Sequence, residues 1–160
     1  MTYNLADLWE AVADHVPERT ALVCGERRGT YAELDDRATR LAHWFQQKGV
    51  QPGAFVGLQL LNGPEYVEAM LAAYKIRAVP VNVNYRYVAD ELRYLYDDAG
   101  LVGVVHHRAF APRIAAVRDG LTALGWCLAV DDDSGEDVGV VGAERWRSGR
   151  SGDASASARS

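Results

Sequence analysis

The run Ala54-Phe55-Val56-Gly57-Leu58-Gln59-Leu60-Leu61 decides the fold class. It is almost unbroken in its apolar character, where a strand with one wet face would alternate. A strand covered on both faces of a parallel sheet reads this way. Val50-Gln51-Pro52-Gly53 before it marks a turn, and Asn62-Gly63-Pro64 after it opens a helix. Pro64 suits the first helical position, where its missing N–H is an orphan anyway. The spacing predicts that this helix buries Val67, Met70, Leu71 and Tyr74.

Downstream, Val79 to Tyr87 (VPVNVNYRY) is a second strand with an aromatic, cationic tip. Pro80 fits near its start or at an edge, where a lost donor is tolerated. A helix follows with Val88, Leu92, Leu95 and Tyr96 inward. Asp90 and Glu91 complement the dipole of its first turn, and Gly100 ends it. Further strands are predicted at 101–105 and 126–130, with a helix between them at 110–124. Alternating strands and helices imply parallel strands joined by right-handed crossovers. The expected fold is therefore α/β, a three-layer, mostly parallel sheet flanked by helices.

Upstream, Leu5, Leu8, Trp9, Val12 and Val16 recur at helical spacing until Pro17. A hairpin follows, with Thr20 to Cys24 as one strand and Gly25-Glu26-Arg27-Arg28-Gly29 as its turn. Thr30-Tyr31-Ala32-Glu33 has the form of a capping box. The helix it opens presents Leu34, Ala38, Leu41 and Phe45 on one face and stops at Gly49.

The 160-residue chain is long enough for one domain with a sizeable core. Its 49% hydrophobic and 24% charged content is that of an ordinary globular protein. A net charge of -5 without a basic stripe argues against nucleic-acid binding. No apolar run approaches the roughly 20 residues of a membrane span. Met1 to Val12 carries acids where a signal peptide needs basic residues, so a cytoplasmic location is expected. Cys24 and Cys127 each lie among apolar neighbours and read as two buried thiols.

The last stretch differs. Five of the six serines fall between Ser148 and Ser160, among Gly, Ala and Arg. Residues 1–142 are thus expected to form the folded part and 143–160 a disordered tail. Such an abrupt change fits a linker, or translation in a shifted reading frame.

Chemistry is harder to find. There is no GxGxxG and no GxxxxGK[ST] phosphate loop. His106 and His107 are adjacent on a strand and point to opposite faces, so they would not chelate one ion together. Asp131 to Asp137 is acidic, but Gly135 and Gly142 stand where a calcium loop needs ligands. A phosphorelay receiver would need a lysine at the end of a late strand, whereas Lys48 and Lys75 lie near helix ends. No strand-turn-helix nucleophile elbow is present. No catalytic or metal-binding residue is assigned on these grounds.

A resemblance supplies more. Thr30-Tyr31-Ala32-Glu33-Leu34, the helix ending at Gly49, and Val50-Gln51-Pro52-Gly53-Ala54-Phe55-Val56-Gly57 resemble the beginning of AMP-forming acyl-CoA synthetases, within the adenylate-forming enzymes. Leu61-Asn62-Gly63-Pro64-Glu65-Tyr66-Val67 is similar to that family's LxNxxEFV. Leu71 to Tyr87 is similar to its LAxxKxGAVxVPLNPRY, with Arg77 standing for a glycine, and Glu91-Leu92 matches the EL that follows. The likeness runs over about residues 3 to 133 and is nearest in flavour to fatty-acyl-CoA synthetases of actinobacterial type.

The resemblance implies a large N-terminal domain, of which this is an incomplete subdomain, and a small mobile C-terminal one. It implies ATP, Mg²⁺ and CoA as the intact enzyme's requirements and a fatty or other carboxylic acid as substrate. An acyl-adenylate and pyrophosphate form first, and CoA then displaces AMP. The phosphate loop, the adenine and metal segment, the ribose aspartate and the C-terminal lysine match no residue here. The expectation is an N-terminal fragment, cut short naturally or by a change of frame, inactive alone and holding no cofactor. A wide apolar face left uncovered would drive self-association. Asn84, Tyr85 and Arg86, past the carboxyl end of a parallel strand, are the candidate substrate or CoA-side loop. Two alternatives stay open: a stand-alone α/β binding or interaction module, and a fragment of an aryl-acid or amino-acid adenylating enzyme.

Overall fold

Asn4 caps the first helix, α1 (Leu5–His15), its side chain accepting from the Ala6 N–H at 2.8 Å while Asp7 returns to the Asn4 N–H at 2.8 Å. The molecule is described by a computed structural model covering residues 3–132 and 143–146. Two units make up the chain, each built from two stretches: residues 1–54 with 62–80, and residues 55–61 with 81–160.

In the first unit, β1 (Thr20–Cys24) and β2 (Arg27–Thr30) pair antiparallel as a hairpin. The turn is shorter than the sequence reading, because Arg27 to Gly29 belong to the return strand. Gly25 (φ 60°) takes the first central position, as a hairpin turn matched to strand twist requires. Thr30 and Glu33 form the expected capping box, with bonds of 3.2 and 2.9 Å, and open α2 (Tyr31–Gln47). Leu34, Ala38, Leu41 and Phe45 are buried, and Gly49 (φ 82°) ends the helix.

Helix α3 (Pro64–Lys75) buries a different face from the expected one. Glu65, Glu68, Ala69, Leu71, Ala72 and Ala73 are inside, whereas Val67, Met70 and Tyr74 are only half-buried. Alanines permit close helix approach, and arginines neutralise the two carboxylates. Arg27 lies 3.0 Å from Glu65, and the Arg37 guanidinium grips Glu68 at 2.8 and 3.1 Å. Burial pushes the Glu68 carboxyl up to about 7, against the pull of Arg37.

Helix α1 is likewise turned from its expected stripe. Ala6 and Ala13 are buried, whereas Leu5 and Leu8 are 59% and 66% exposed. Trp9 packs against Leu34, Ala38 and Leu71, and polar contacts join it: Trp9 donates to Asp35 at 2.9 Å, Lys75 reaches Glu10 and Asp35 at 2.6 and 2.8 Å, and Arg77 pairs with Asp7 at 3.0 Å. These fixings orient α1 and leave Leu5 and Leu8 outward. Cys24 also departs from expectation: it is exposed, because it ends a two-stranded hairpin with an uncovered face.

The second unit holds the sheet, ordered β4-β3-β5-β6-β7, apart from Val79 and Pro80 of β4, which are counted with the first. Its strands are β3 (Phe55–Gln59), β4 (Val79–Asn82), β5 (Gly103–His107), β6 (Trp126–Val130) and β7 (Ala143–Trp146). Pairings β3–β5, β5–β6 and β6–β7 are parallel. Val56, Leu58 and Gln59 are all 0% exposed, so β3 is covered on both faces as its composition required. β7 is formed by residues that the composition reading placed in the tail; residues 147–160 of that tail lie outside the described part. The acidic turn survives as Asp131 and Asp132, the remainder of it also lying outside.

Helix α4 (Ala89–Asp98) buries Leu92 and Tyr96 but leaves Val88 exposed, where Val88 is the N-cap and its N–H bonds Glu91 at 3.0 Å. Helix α5 (Ala111–Arg118) follows a single 3-10 turn and is shorter than expected, since Gly120 (φ 94°) breaks the pattern. Its Ile114 and Val117 join Leu92, Tyr96, Leu101, Val104 and Cys127 in one core.

Candidate functional site

Side chains of differing chemistry meet at the carboxyl edge of the second unit's sheet, the edge where open α/β sheets bind ligands. β4 ends at Asn82, and the chain turns at once. Asn84 Oδ1 accepts from the Arg86 N–H at 3.0 Å, and the Asn84 carbonyl accepts from the Tyr87 N–H at 3.1 Å. The Asn84 side chain is thus spent on shaping the turn, which presents Tyr85 and Arg86 outward.

Tyr85 stacks on Phe110 with ring centroids 6.2 Å apart and 22° between planes. The Arg86 guanidinium sits 5.6 Å from the Tyr85 ring centroid. From α5, Arg113 donates to the Tyr85 carbonyl at 2.7 Å and lies 6.0 Å from the Phe110 ring. The loop is therefore held from below by Arg113 and Phe110, while Arg86 is exposed and pairs with no carboxylate among the described residues. A fixed turn bearing an unneutralised guanidinium over an aromatic ring can receive an anion.

Beside it, the end of β5 carries the two histidines on different faces, as expected. His107 Nδ1 accepts from the Leu61 N–H at 3.0 Å, tying the ends of β3 and β5 together. His106 is 0% exposed, and burial lowers its pKa to about 4, only partly offset by its bond to the His107 carbonyl. Arg108 and Asp131 approach to 3.7 Å, and the Ala109 N–H donates to Asp132 at 3.0 Å. These contacts tie Asp131 and Asp132, just past β6, to the turn that follows β5. Among the described residues no group of three or more His, Cys, Asp or Glu could hold a metal ion.

Of the residues singled out from sequence, Asn84, Tyr85 and Arg86 do share one turn, with Asn84 structural. Phe110 and Arg113 were not singled out, though together they fix the turn's position. Their only signal was placement at the start of the helix after β5, next to the end of β4 in a parallel sheet. Among the described residues the site brings together no nucleophile–base pair and no phosphate-cradling loop.

The model of the AMP-binding enzyme family matches residues 9–156. A 3-oxocholest-4-en-26-oate–CoA ligase from Rhodococcus rhodochrous is 43% identical over 142 residues, which are 89% of this chain and 26% of the relative. A medium/long-chain-fatty-acid–CoA/3-oxocholest-4-en-26-oate–CoA ligase from Mycobacterium tuberculosis (strain H37Rv) is 46% identical over 134 residues, 84% of this chain and 24% of the relative. Among solved structures, the anthranilate CoA ligase AuaEII bound to anthranoyl-AMP matches with a TM-score of 0.76 at 26% identity, over 79% of this chain and 25% of that one. The chain spans about a quarter of the length of the curated relatives it matches.

Proposed function

The chain belongs to the family of AMP-binding enzymes, and from that membership we propose that it is the N-terminal portion of an AMP-forming acyl-CoA ligase. The observation that carries this reading is the 43% identity with a CoA ligase across 89% of the chain. The parent reaction adenylates a fatty or other carboxylic acid with ATP and Mg²⁺, then passes the acyl group to CoA. ATP and CoA place such an enzyme in the cytoplasm, and no described helix is long and apolar enough to cross a membrane.

In this reading the turn Asn84-Tyr85-Arg86 forms one wall of the substrate or CoA approach. Arg86 receives a phosphate or carboxylate, Tyr85 lends an aromatic surface, and Arg113 positions the backbone. In this reading the turn binds and orients the substrate or CoA. Residues 3–132 together with β7 (Ala143–Trp146) act as the folded part. The outward Leu5, Leu8 and Val12 of α1 are an apolar face able to drive self-association of the chain alone.

The test has two parts. The purified 160-residue chain should show no acid-dependent ATP–pyrophosphate exchange. Residues 3–132, grafted in place of the equivalent segment of the Rhodococcus ligase, should preserve CoA-ligase activity. Changing Arg86→Ala in that chimaera should raise KM for CoA about tenfold with kcat little changed, the loss of one charge-assisted contact. A folded but inactive chimaera would refute the reading. The likeness to an anthranilate CoA ligase favours a second reading, an aryl-acid enzyme. Acid specificity of the native downstream sequence, where the acyl pocket lies in this reading, separates the two.

A further inference from the structure

Tyr96, Gln59 and His106 form a buried polar group that the proposed site does not use. Gln59 and His106 are 0% exposed and Tyr96 is 1% exposed. The Tyr96 hydroxyl donates to Gln59 Oε1 at 2.6 Å, which leaves the Gln59 amide nitrogen as a donor only. His106 Nδ1 lies 2.9 Å from the His107 carbonyl oxygen. A carbonyl can only accept, so the proton sits on Nδ1 and Nε2 is a bare acceptor.

Neither Gln59 Nε2 nor His106 Nε2 has a hydrogen-bond partner among the described residues. They are nevertheless neighbours. Gln59 and His106 are register partners on parallel strands, two residues beyond the pair Gly57 and Val104, so they project to one face. Adjacent strands lie about 4.8 Å apart. A donor and an acceptor, both shut away from solvent, therefore stand side by side without bonding each other. Buried polar groups are rarely left so, because desolvation is then uncompensated.

The chemistry of the gap selects its occupant. The guest must accept from an amide and donate to an imidazole nitrogen. An anion has no proton to donate, and a cation would face the amide hydrogens. Water does both, and internal waters typically serve such otherwise unsatisfied groups. We infer that Gln59 and His106 hold one internal water molecule, completing a one-way hydrogen-bond chain from the Tyr96 hydroxyl to the His107 carbonyl. The chain joins α4, the end of β3 and the end of β5. With the Leu61 to His107 bond beside it, it sets the relative position of the two strand ends at the carboxyl edge.

The test is solution NMR of the full chain with ¹⁵N and ¹³C labels. His106 should be the Nδ1–H tautomer, and its ring should share rotating-frame cross-relaxation with a long-lived water that also contacts the Gln59 amide protons. Gln59→Leu should abolish that water signal, whereas Tyr96→Phe should retain it. Protonation of neutral His106 on Nε2 would overturn the inference. A through-bond ¹⁵N–¹⁵N coupling directly between Gln59 and His106, without a water contact, would do the same. The wild-type tautomer and water contact decide the matter even where Gln59→Leu fails to fold.

Discussion

Gly103 opens β5 directly beside Trp126 of β6, and the indole lies where a side chain would be. A Cβ built at Gly103 would fall 2.0, 2.2 and 2.3 Å from Trp126 Cε2, Cζ2 and Cδ2. Carbon atoms rest at about 3.5–4.0 Å, so Gly103→Ala forces a relative displacement of roughly 1.5 Å. Both strands are central in the sheet, and Trp126 is only 6% exposed. The ring must leave its place, or the ladder must open. Driving the indole out re-exposes about 200 Å² of apolar surface, worth about 5 kcal/mol at 25 cal/mol per Å². Relaxation within the core lowers that, and alanine's better strand propensity returns about 0.5–1 kcal/mol. The expected destabilisation is about 3–4 kcal/mol, read as a fall in the urea midpoint by circular dichroism. The diagnostic is the double mutant: Gly103→Ala should cost almost nothing extra in a Trp126→Ala background, a coupling of more than about 2 kcal/mol. A single-mutant loss below about 1 kcal/mol, or additive effects, would refute the steric reasoning.

Arg77 is the one non-glycine described residue with positive φ, at 62°. Arg77→Gly should relieve about 1 kcal/mol of backbone strain and lose the half-exposed Asp7 pair, worth less; a net gain in thermal midpoint is expected, and a loss would show the ion pair dominating. Acid should act oppositely on the two units. His106 stays neutral when folded down to about pH 4, while the unfolded chain takes up its proton near 6.5, so the second unit weakens by about 3 kcal/mol as pH falls through that window. Glu68 holds its proton up to about pH 7 when folded and only to about 4.5 unfolded, so the first unit strengthens over nearly the same range. Amide hydrogen exchange, corrected for intrinsic rates, should show the divergence, and parallel shifts in both units would contradict it. Thr30→Ala removes the hydroxyl that caps the Glu33 N–H and should cost about 1 kcal/mol, measured by thermal unfolding; no change would mean the α2 cap is idle.

Local chemistry made much of this legible in advance. The apolar run of β3, the Thr30–Glu33 box and the stop at Gly49 depend on neighbours within a turn or two, and each is found where expected. What failed was choice of face. α1 and α3 carry large apolar residues at helical spacing, yet ion pairs to Asp7, Glu10, Glu65 and Glu68 turn smaller faces inward. A periodicity argument ranks leucine above a glutamate with an arginine waiting for it, and the fold reversed that order. The likeness at Arg77 pointed to a glycine, and the positive φ there supplies the reason. The candidate turn was legible only up to Arg86. Arg113 and Phe110 reach it through register between distant strands, as do Gln59 and His106, and no local pattern contains that register. β7 was hidden for a further reason, since its four residues carry little strand propensity and depend on the β6 edge.

The two units interleave along the chain, the first taking residues 1–54 and 62–80 and the second 55–61 and 81–160. Neither is therefore a contiguous peptide. A ribosome releases the β3 segment before either of its sheet neighbours exists, and that segment must wait in the open through the synthesis of α3. During this interval an almost unbroken apolar run is unpaired, which makes it a stretch on which chaperone binding or premature association would fall. For the same reason a cut at Ala54 would part the first unit's two stretches while leaving both stretches of the second on one fragment, with residues 62–80 between them, so its products are not the two units.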